Sequence, residues 1–186
     1  IMAPKDENEL VRMLITAVEH HGPVAVRYPR GTGEGELIEK SPAPVPYGKA
    51  KVLCCGDDLL IIAVGKSVCE AFKAAAVLKE HNIQTTVINA RFVKPLDSEL
   101  ISDHARRVKQ IITVEEHVLD GGFGSAVQEA LFEKQVEGIQ VRRIGIQDTF
   151  VEHGPQKVLQ KAYGIDHTAI VSTALEMKGI KTDSCQ

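Results

Sequence analysis

The sequence predicts a three-layer α/β/α domain with a mostly parallel sheet over 49–186, preceded by the tail of another α/β domain. Three observations carry this. From residue 49 on, short apolar or β-branched runs alternate with segments of helical period, joined by short loops. The run Leu59-Leu60-Ile61-Ile62-Ala63-Val64 is apolar on both faces, as a buried parallel strand requires. Residues 31–48 hold Gly31, Gly33, Gly35, Pro42, Pro44, Pro46 and Gly48, a linker composition, and the segment before them is too short to bury a core alone.

Each element has its own signal. A helix over 6–20 is opened by Asp6 as N-cap with Glu9 three residues on, a variant of the capping box. Leu10, Met13, Leu14, Ala17 and Val18 make its apolar stripe, and Gly22-Pro23 ends it. A short buried strand is expected over 24–26. Strands over 50–54 and 59–64 flank Gly56-Asp57-Asp58, which reads as a hairpin turn. A helix over 67–81 follows, with Val68, Ala71, Phe72, Ala75 and Leu78 on one stripe. Then come a β-branched strand over 85–89, a helix over 97–108 capped by Asp97, a strand over 110–114 and a helix over 123–134. A strand over 141–146 and helices over 155–162 and 167–178 complete the pattern, and right-handed crossovers should join the parallel strands.

Composition limits the function classes. The chain has 186 residues, 44% hydrophobic and 25% charged, with a net charge of −3, which suits a soluble globular protein. A nucleic-acid surface needs a clustered basic face, and none is visible. No apolar run approaches the roughly 18 residues of a spanning helix. Lys5-Asp6-Glu7 stands where a signal peptide would need an apolar stretch, so none is expected, and no polybasic run reads as an anchor. The four cysteines form no disulfide framework and no metal-ligand spacing: Cys54 and Cys55 are adjacent, and Cys69 and Cys185 stand apart. That usage suits a reducing cytoplasm. The chain opens on Ile1, almost directly at a helix signal, so it is expected to be part of a longer protein.

Five segments could carry chemistry. Gly65-Lys66-Ser67 follows a strand, but Leu60 stands where a phosphate-binding loop needs its first glycine. A strand-to-helix turn with Ser67 as N-cap explains it better. Gly121-Gly122-Phe123-Gly124-Ser125 precedes a helix, whose N-terminal N–H groups could hold an anion; close helix–strand packing explains the glycines equally. Glu115-Glu116-His117 ends a strand, where acid–base work or an interface are both open, although adjacent strand residues point oppositely. In Phe150-Val151-Glu152-His153-Gly154, His153 could titrate near neutrality or simply sit at an interface. Arg27-Tyr28-Pro29-Arg30-Gly31 places two arginines after a short strand, where α/β sheets bind ligands and a guanidinium can grip phosphate in two-pronged fashion. Taken alone, an interface salt bridge fits that segment as well.

Taken in order, Arg27-Tyr28-Pro29-Arg30-Gly31, Asn89-Ala90-Arg91-Phe92-Val93-Lys94-Pro95-Leu96-Asp97, Val114-Glu115-Glu116, Gly121-Gly122-Phe123-Gly124-Ser125 and Phe150-Val151-Glu152-His153-Gly154 resemble the C-terminal part of the 1-deoxy-D-xylulose-5-phosphate synthases. Ile1-Met2-Ala3-Pro4-Lys5-Asp6-Glu7-Asn8-Glu9 fits upstream, so the resemblance spans essentially the whole chain. Transketolase and the pyruvate dehydrogenase β-subunit share the glycine segment but not the two arginine-bearing motifs. The resemblance implies that residues 1–35 end a thiamine-pyrimidine-binding domain, 36–48 form a linker, and 49–186 form a transketolase C-terminal domain. It implies a homodimeric, cytoplasmic enzyme using thiamine diphosphate and Mg²⁺. That enzyme condenses pyruvate, with loss of CO₂, and D-glyceraldehyde 3-phosphate to 1-deoxy-D-xylulose 5-phosphate, for isoprenoid, thiamine and pyridoxal synthesis. By position, Arg30 corresponds to the arginine that grips the aldehyde's phosphate. The cofactor-activating glutamate, the magnesium ligands and the histidines near the thiazolium lie upstream in that family. No catalytic residue, metal site or bound cofactor is therefore expected in this stretch, which alone should be inactive. Glu115, Glu116 and His153 remain candidates for an interface or the edge of a site.

Two other classes stay open. The chain could be a non-catalytic dimerisation or scaffold module. It could also belong to a paralogous thiamine-dependent enzyme with another donor or aldehyde.

Overall fold

The computed structural model describes residues 1–180; Cys185, for which the sequence shows no partner, lies outside the described residues. Five strands form one sheet: β1 (Lys51–Cys54), β2 (Leu59–Ala63), β3 (Thr85–Asn89), β4 (Gln110–Val118) and β5 (Gln140–Ile146). Their spatial order is β1-β3-β2-β4-β5, all parallel except β1, which runs antiparallel to β3. The helices are α1 (Glu7–Glu19), α2 (Ser67–Glu80), α3 (Ser98–Val108), α4 (Phe123–Glu133), α5 (Gln156–Ala162) and α6 (His167–Met177).

Strand alternation separates two cores. In β2, Leu59, Ile61 and Ala63 face one side, where Val68, Leu78, Ile170 and Ala174 of α2 and α6 cover them. Leu60 and Ile62 face the other, against Ile101, Ala105, Val127 and Leu131 of α3 and α4. Every residue of β2 and β3 is buried, which is why neither run shows a polar face. The three-layer α/β/α architecture follows.

The structure corrects several local expectations. Gly56-Asp57-Asp58 does not close a hairpin, because β3 lies between β1 and β2. Gly56 is needed for close approach instead: a Cβ there would overlap the backbone of Gln84 and Thr85. Residues 24–26 form no strand; Val26 makes a single bridge to Met2, which bridges Phe92 on its other side, and Ala25 is exposed. β4 continues to Val118 through a register shift after Val114, so Glu115, Glu116 and His117 lie within the strand, not beyond it. Lys66, not Ser67, occupies the N-cap position of α2, and the buried Ser67 Oγ has no hydrogen-bond partner among the described residues. Asp6 does cap α1 through Glu9 N–H, and Asp97 caps α3 through Leu100 N–H.

Helix α1 buries Glu9, Met13 and Thr16 and leaves Leu14 and Val18 exposed, a face different from its apolar stripe. In α2, Phe72 is likewise exposed. The segment after residue 30 has no regular structure, yet it is strapped along α1. Asn8 both donates to Leu37 C=O and accepts from Glu39 N–H, Arg12 donates to Ala43 C=O, and Thr16 donates to Val45 C=O.

Candidate functional site

The connection after β2 passes to α2 on one face of the sheet, while that after β4 passes to α4 on the other. Adjacent strands whose chains leave in opposite directions open a crevice beyond their carboxyl ends. Here the crevice holds a cavity of about 270 Å³ whose lining includes Gly65 and Lys66 after β2, Glu116 of β4, and Gln160 of α5. The loop 27–34 roofs it with Arg27, Tyr28 and Pro29. The Arg27 guanidinium lies over Gly65, 3.5 Å from where a side chain there would begin. Glu116 accepts a 2.8 Å hydrogen bond from Gln160 Nε2, which fixes the carboxylate at the cavity wall.

Arg30 lies at the exposed turn of this loop. Its carbonyl accepts a 3.0 Å hydrogen bond from Gln156 Nε2, the first residue of α5. Two and four residues on, Thr32 C=O and the Glu34 carboxylate lie 3.5 and 3.3 Å from Lys66 Nζ. Lys66 also approaches Gln156 Oε1 at 3.4 Å. Further along the loop, Gly35 N–H donates to Glu7 Oε1 at 2.8 Å.

Arg30 itself does not line the cavity, and Glu115, His117 and His153 do not converge on it either. Glu115 points to the opposite face and is fully buried. Its two oxygens accept the N–H groups of Phe123 (2.7 Å) and Gly124 (2.8 Å) at the start of α4. The helix N-terminus does hold an anion, and that anion is the chain's own carboxylate. Close packing explains Gly122 at the same time, since a Cβ there would overlap Val118 C=O and Glu115 Oε2. Burial pushes the Glu115 carboxyl up from its ordinary value, against the backbone N–H groups, which favour the charged form. His117 is exposed, and His153 is exposed on the loop between β5 and α5 without lining the cavity.

Sequence reasoning missed one buried polar cluster. Arg91 Nε donates to Glu9 Oε1 at 2.8 Å, and Asn89 Nδ2 lies 3.0 and 2.9 Å from the two Glu9 oxygens. Lys5 N–H reaches Glu9 Oε2 at 3.0 Å, the place a capping box would give to Asp6 N–H. The one visible signal was Asn89 and Arg91 two residues apart at a strand end; their partner lies 80 residues away.

Among the described residues, no group of three or more His, Cys, Asp or Glu could hold a metal, and no helix is long and apolar enough to cross a membrane.

Comparison with known proteins decides the family. Residues 48–170 match the model of the transketolase C-terminal domain. The chain belongs to the transketolase C-terminal domain family. It is 52% identical over 94% of its length to 1-deoxy-D-xylulose-5-phosphate synthase of Desulforudis audaxviator, and 53% identical over 92% to 1-deoxy-D-xylulose-5-phosphate synthase 1 of Geobacter sulfurreducens. It spans about 27% of the length of each. Among solved structures, a split-gene transketolase described as an inactive β4 tetramer aligns with TM-score 0.82 and 29% identity, over 97% of this chain and 58% of that one. Transketolase of Pichia stipitis (an R525L mutant) aligns with TM-score 0.60 and 18% identity over 94% of this chain and 24% of that one, a likeness of fold. Loop 27–34 lies outside the residues matched to the family, while Gln156, which holds Arg30 C=O, and Lys66, which meets Thr32 and Glu34, lie inside them.

Proposed function

We propose that this chain is the C-terminal portion of a 1-deoxy-D-xylulose-5-phosphate synthase. Residues 1–35 end its pyrimidine-binding domain, 36–48 link, and 49–186 form the C-terminal domain. The whole enzyme condenses pyruvate, with loss of CO₂, and D-glyceraldehyde 3-phosphate, and it works as a cytoplasmic homodimer. Thiamine diphosphate, bound with Mg²⁺ by parts outside this chain, supplies the electron sink for decarboxylation. This chain's own role in that enzyme is in substrate binding, through Arg30, and in support of the dimer.

The observation that carries this proposal is Arg30. It stands exposed on the loop whose Arg27, Tyr28 and Pro29 border the crevice, and the chain as a whole is about half identical to synthases over the matched length. The exposed Leu14 and Val18 on α1 support the assignment of that helix to a larger domain. A guanidinium presents parallel N–H donors that match a phosphate, so Arg30 holds the phosphate of the aldehyde.

Arg30→Ala in the full-length enzyme tests it. KM for glyceraldehyde 3-phosphate should rise roughly thirtyfold or more, with pyruvate little affected, as for loss of a charged contact. Unchanged kinetics would remove the phosphate role.

A further inference from the structure

We propose that Gln156 and Lys66 are positioning residues that hold the Arg30 loop in its phosphate-binding shape, so that the C-terminal domain tunes substrate affinity through a two-residue clasp. This rests on the assignment of Arg30 to the phosphate.

The loop has little packing of its own. Residues 27–34 are all exposed, Tyr28 by 62%. A cavity lies on each side, one of about 270 Å³ and one of about 220 Å³, both bordered by Pro4, Tyr28, Pro29 and Lys66. A segment that spans two hollows takes its shape from a few polar ties, because burial contributes little to fixing it. Those ties lead to the C-terminal domain. Gln156 Nε2 donates to Arg30 C=O, and Gly31 packs so closely that a Cβ there would stand 3.0 Å from Gln156 Oε1. Lys66 approaches Thr32 C=O, pairs with Glu34 and steadies Gln156 Oε1. Gln156 thus fixes the backbone of the residue whose side chain must reach the phosphate, and Lys66 fixes the chain that follows at Thr32 and Glu34. A binding side chain on a loosely held backbone loses affinity even when all its atoms are present, since the loop must be ordered at the moment of binding.

The test uses the full-length enzyme and compares Q156A, K66M, R30A and the R30A/Q156A double variant. Q156A and K66M should each raise KM for glyceraldehyde 3-phosphate roughly fivefold, the value of one ordinary hydrogen bond, with kcat and KM for pyruvate nearly constant. K66R should recover part of the loss seen in K66M. Turnover of unphosphorylated glyceraldehyde should not respond. In the double variant, Q156A should add nothing to R30A, because it acts only through Arg30. If R30A raises KM and both Q156A and K66M leave it alone, the clasp is overturned and the phosphate role stands. The clasp also falls if Q156A costs the same with or without Arg30, or with the unphosphorylated aldehyde. If R30A itself changes nothing, the phosphate role fails, and the clasp with it.

Discussion

The carboxylate of Glu9 and the guanidinium of Arg91 meet at 2.8 Å, and both residues are nearly sealed from water, at 3% and 6% exposure. This pair joins α1 to the end of β3. Around it, Asn89 shares the Glu9 oxygens and accepts from Arg91 N–H, so few polar positions are left unfilled. Met2, Met13, Val45 and Phe92 form the small apolar cluster of the same junction. The buried pair and the Gln156–Lys66 clasp are thereby two of the ties that seat the segment carrying Arg30, beside the bridge of Met2 to Phe92.

Removing one partner of a buried pair strands the other charge. Arg91→Ala is therefore expected to destabilise the chain by about 3–5 kcal/mol. Arg91 also sits at φ 59, in the left-handed region. Arg91→Gly removes the same charge but relieves that backbone cost of about 1–2 kcal/mol, so it should be less harmful than Arg91→Ala by about that amount. Urea denaturation midpoints of both variants check this. Equal losses would show that the φ value stores nothing.

The two neighbouring glycines before α4 answer to different constraints. Gly121 has φ 68 and nothing among the described residues within 4 Å of a would-be Cβ, so Gly121→Ala should cost only the backbone preference, about 1–2 kcal/mol. Gly122 has φ −79, which any residue adopts, but a Cβ there would overlap Val118 C=O and the Glu115 carboxylate. Gly122→Ala should cost more, about 1–3 kcal/mol for overpacking and a further part of the Glu115 bonds to α4. Thermal melts of the two variants give the order directly; a milder Gly122→Ala would mean that the strand end yields easily.

These cases show what sequence alone carries. Period and alternation placed the strands and helices of the sheet domain, because each is set by neighbours within a few residues. Pairing is non-local, and there the sequence misled: Gly56 looked like a turn residue, and its real constraint is the backbone of Gln84 and Thr85. Glu9 looked like half of a capping box, since its buried partner lies 82 residues away. The glycine segment left an anion site and close packing both open, and nothing local showed that Glu115 would bond the start of α4. Arg30 was legible as a candidate from its motif; its anchor Gln156 was not, because a glutamine opening a short helix has no distinguishing pattern.

Two carboxylates give opposite pH signatures. Burial raises the Glu115 carboxyl above its ordinary 4.5, so the folded state binds its proton more tightly than the unfolded chain. That preference lowers stability as pH climbs from about 4 through the raised value. Glu70 behaves in reverse. Burial would raise it, but hydrogen bonds from Lys73 and from His167, by its backbone N–H and its ring, outweigh burial and hold the carboxyl below 4.5. Its contribution is present above 4.5 and is lost as pH falls through the lowered value. Unfolding free energies of wild type, Glu115→Gln and Glu70→Gln, taken from pH 3 to pH 8, separate the two. The stability advantage of wild type over Glu70→Gln should grow as pH rises through the acid range. Its advantage over Glu115→Gln should instead shrink over the same rise, even though the glutamine amide, facing two N–H donors with one oxygen, makes that variant less stable by about 1–3 kcal/mol at low pH. If both differences moved with pH in the same direction, the two carboxylates would share one environment, contrary to the contacts each one makes.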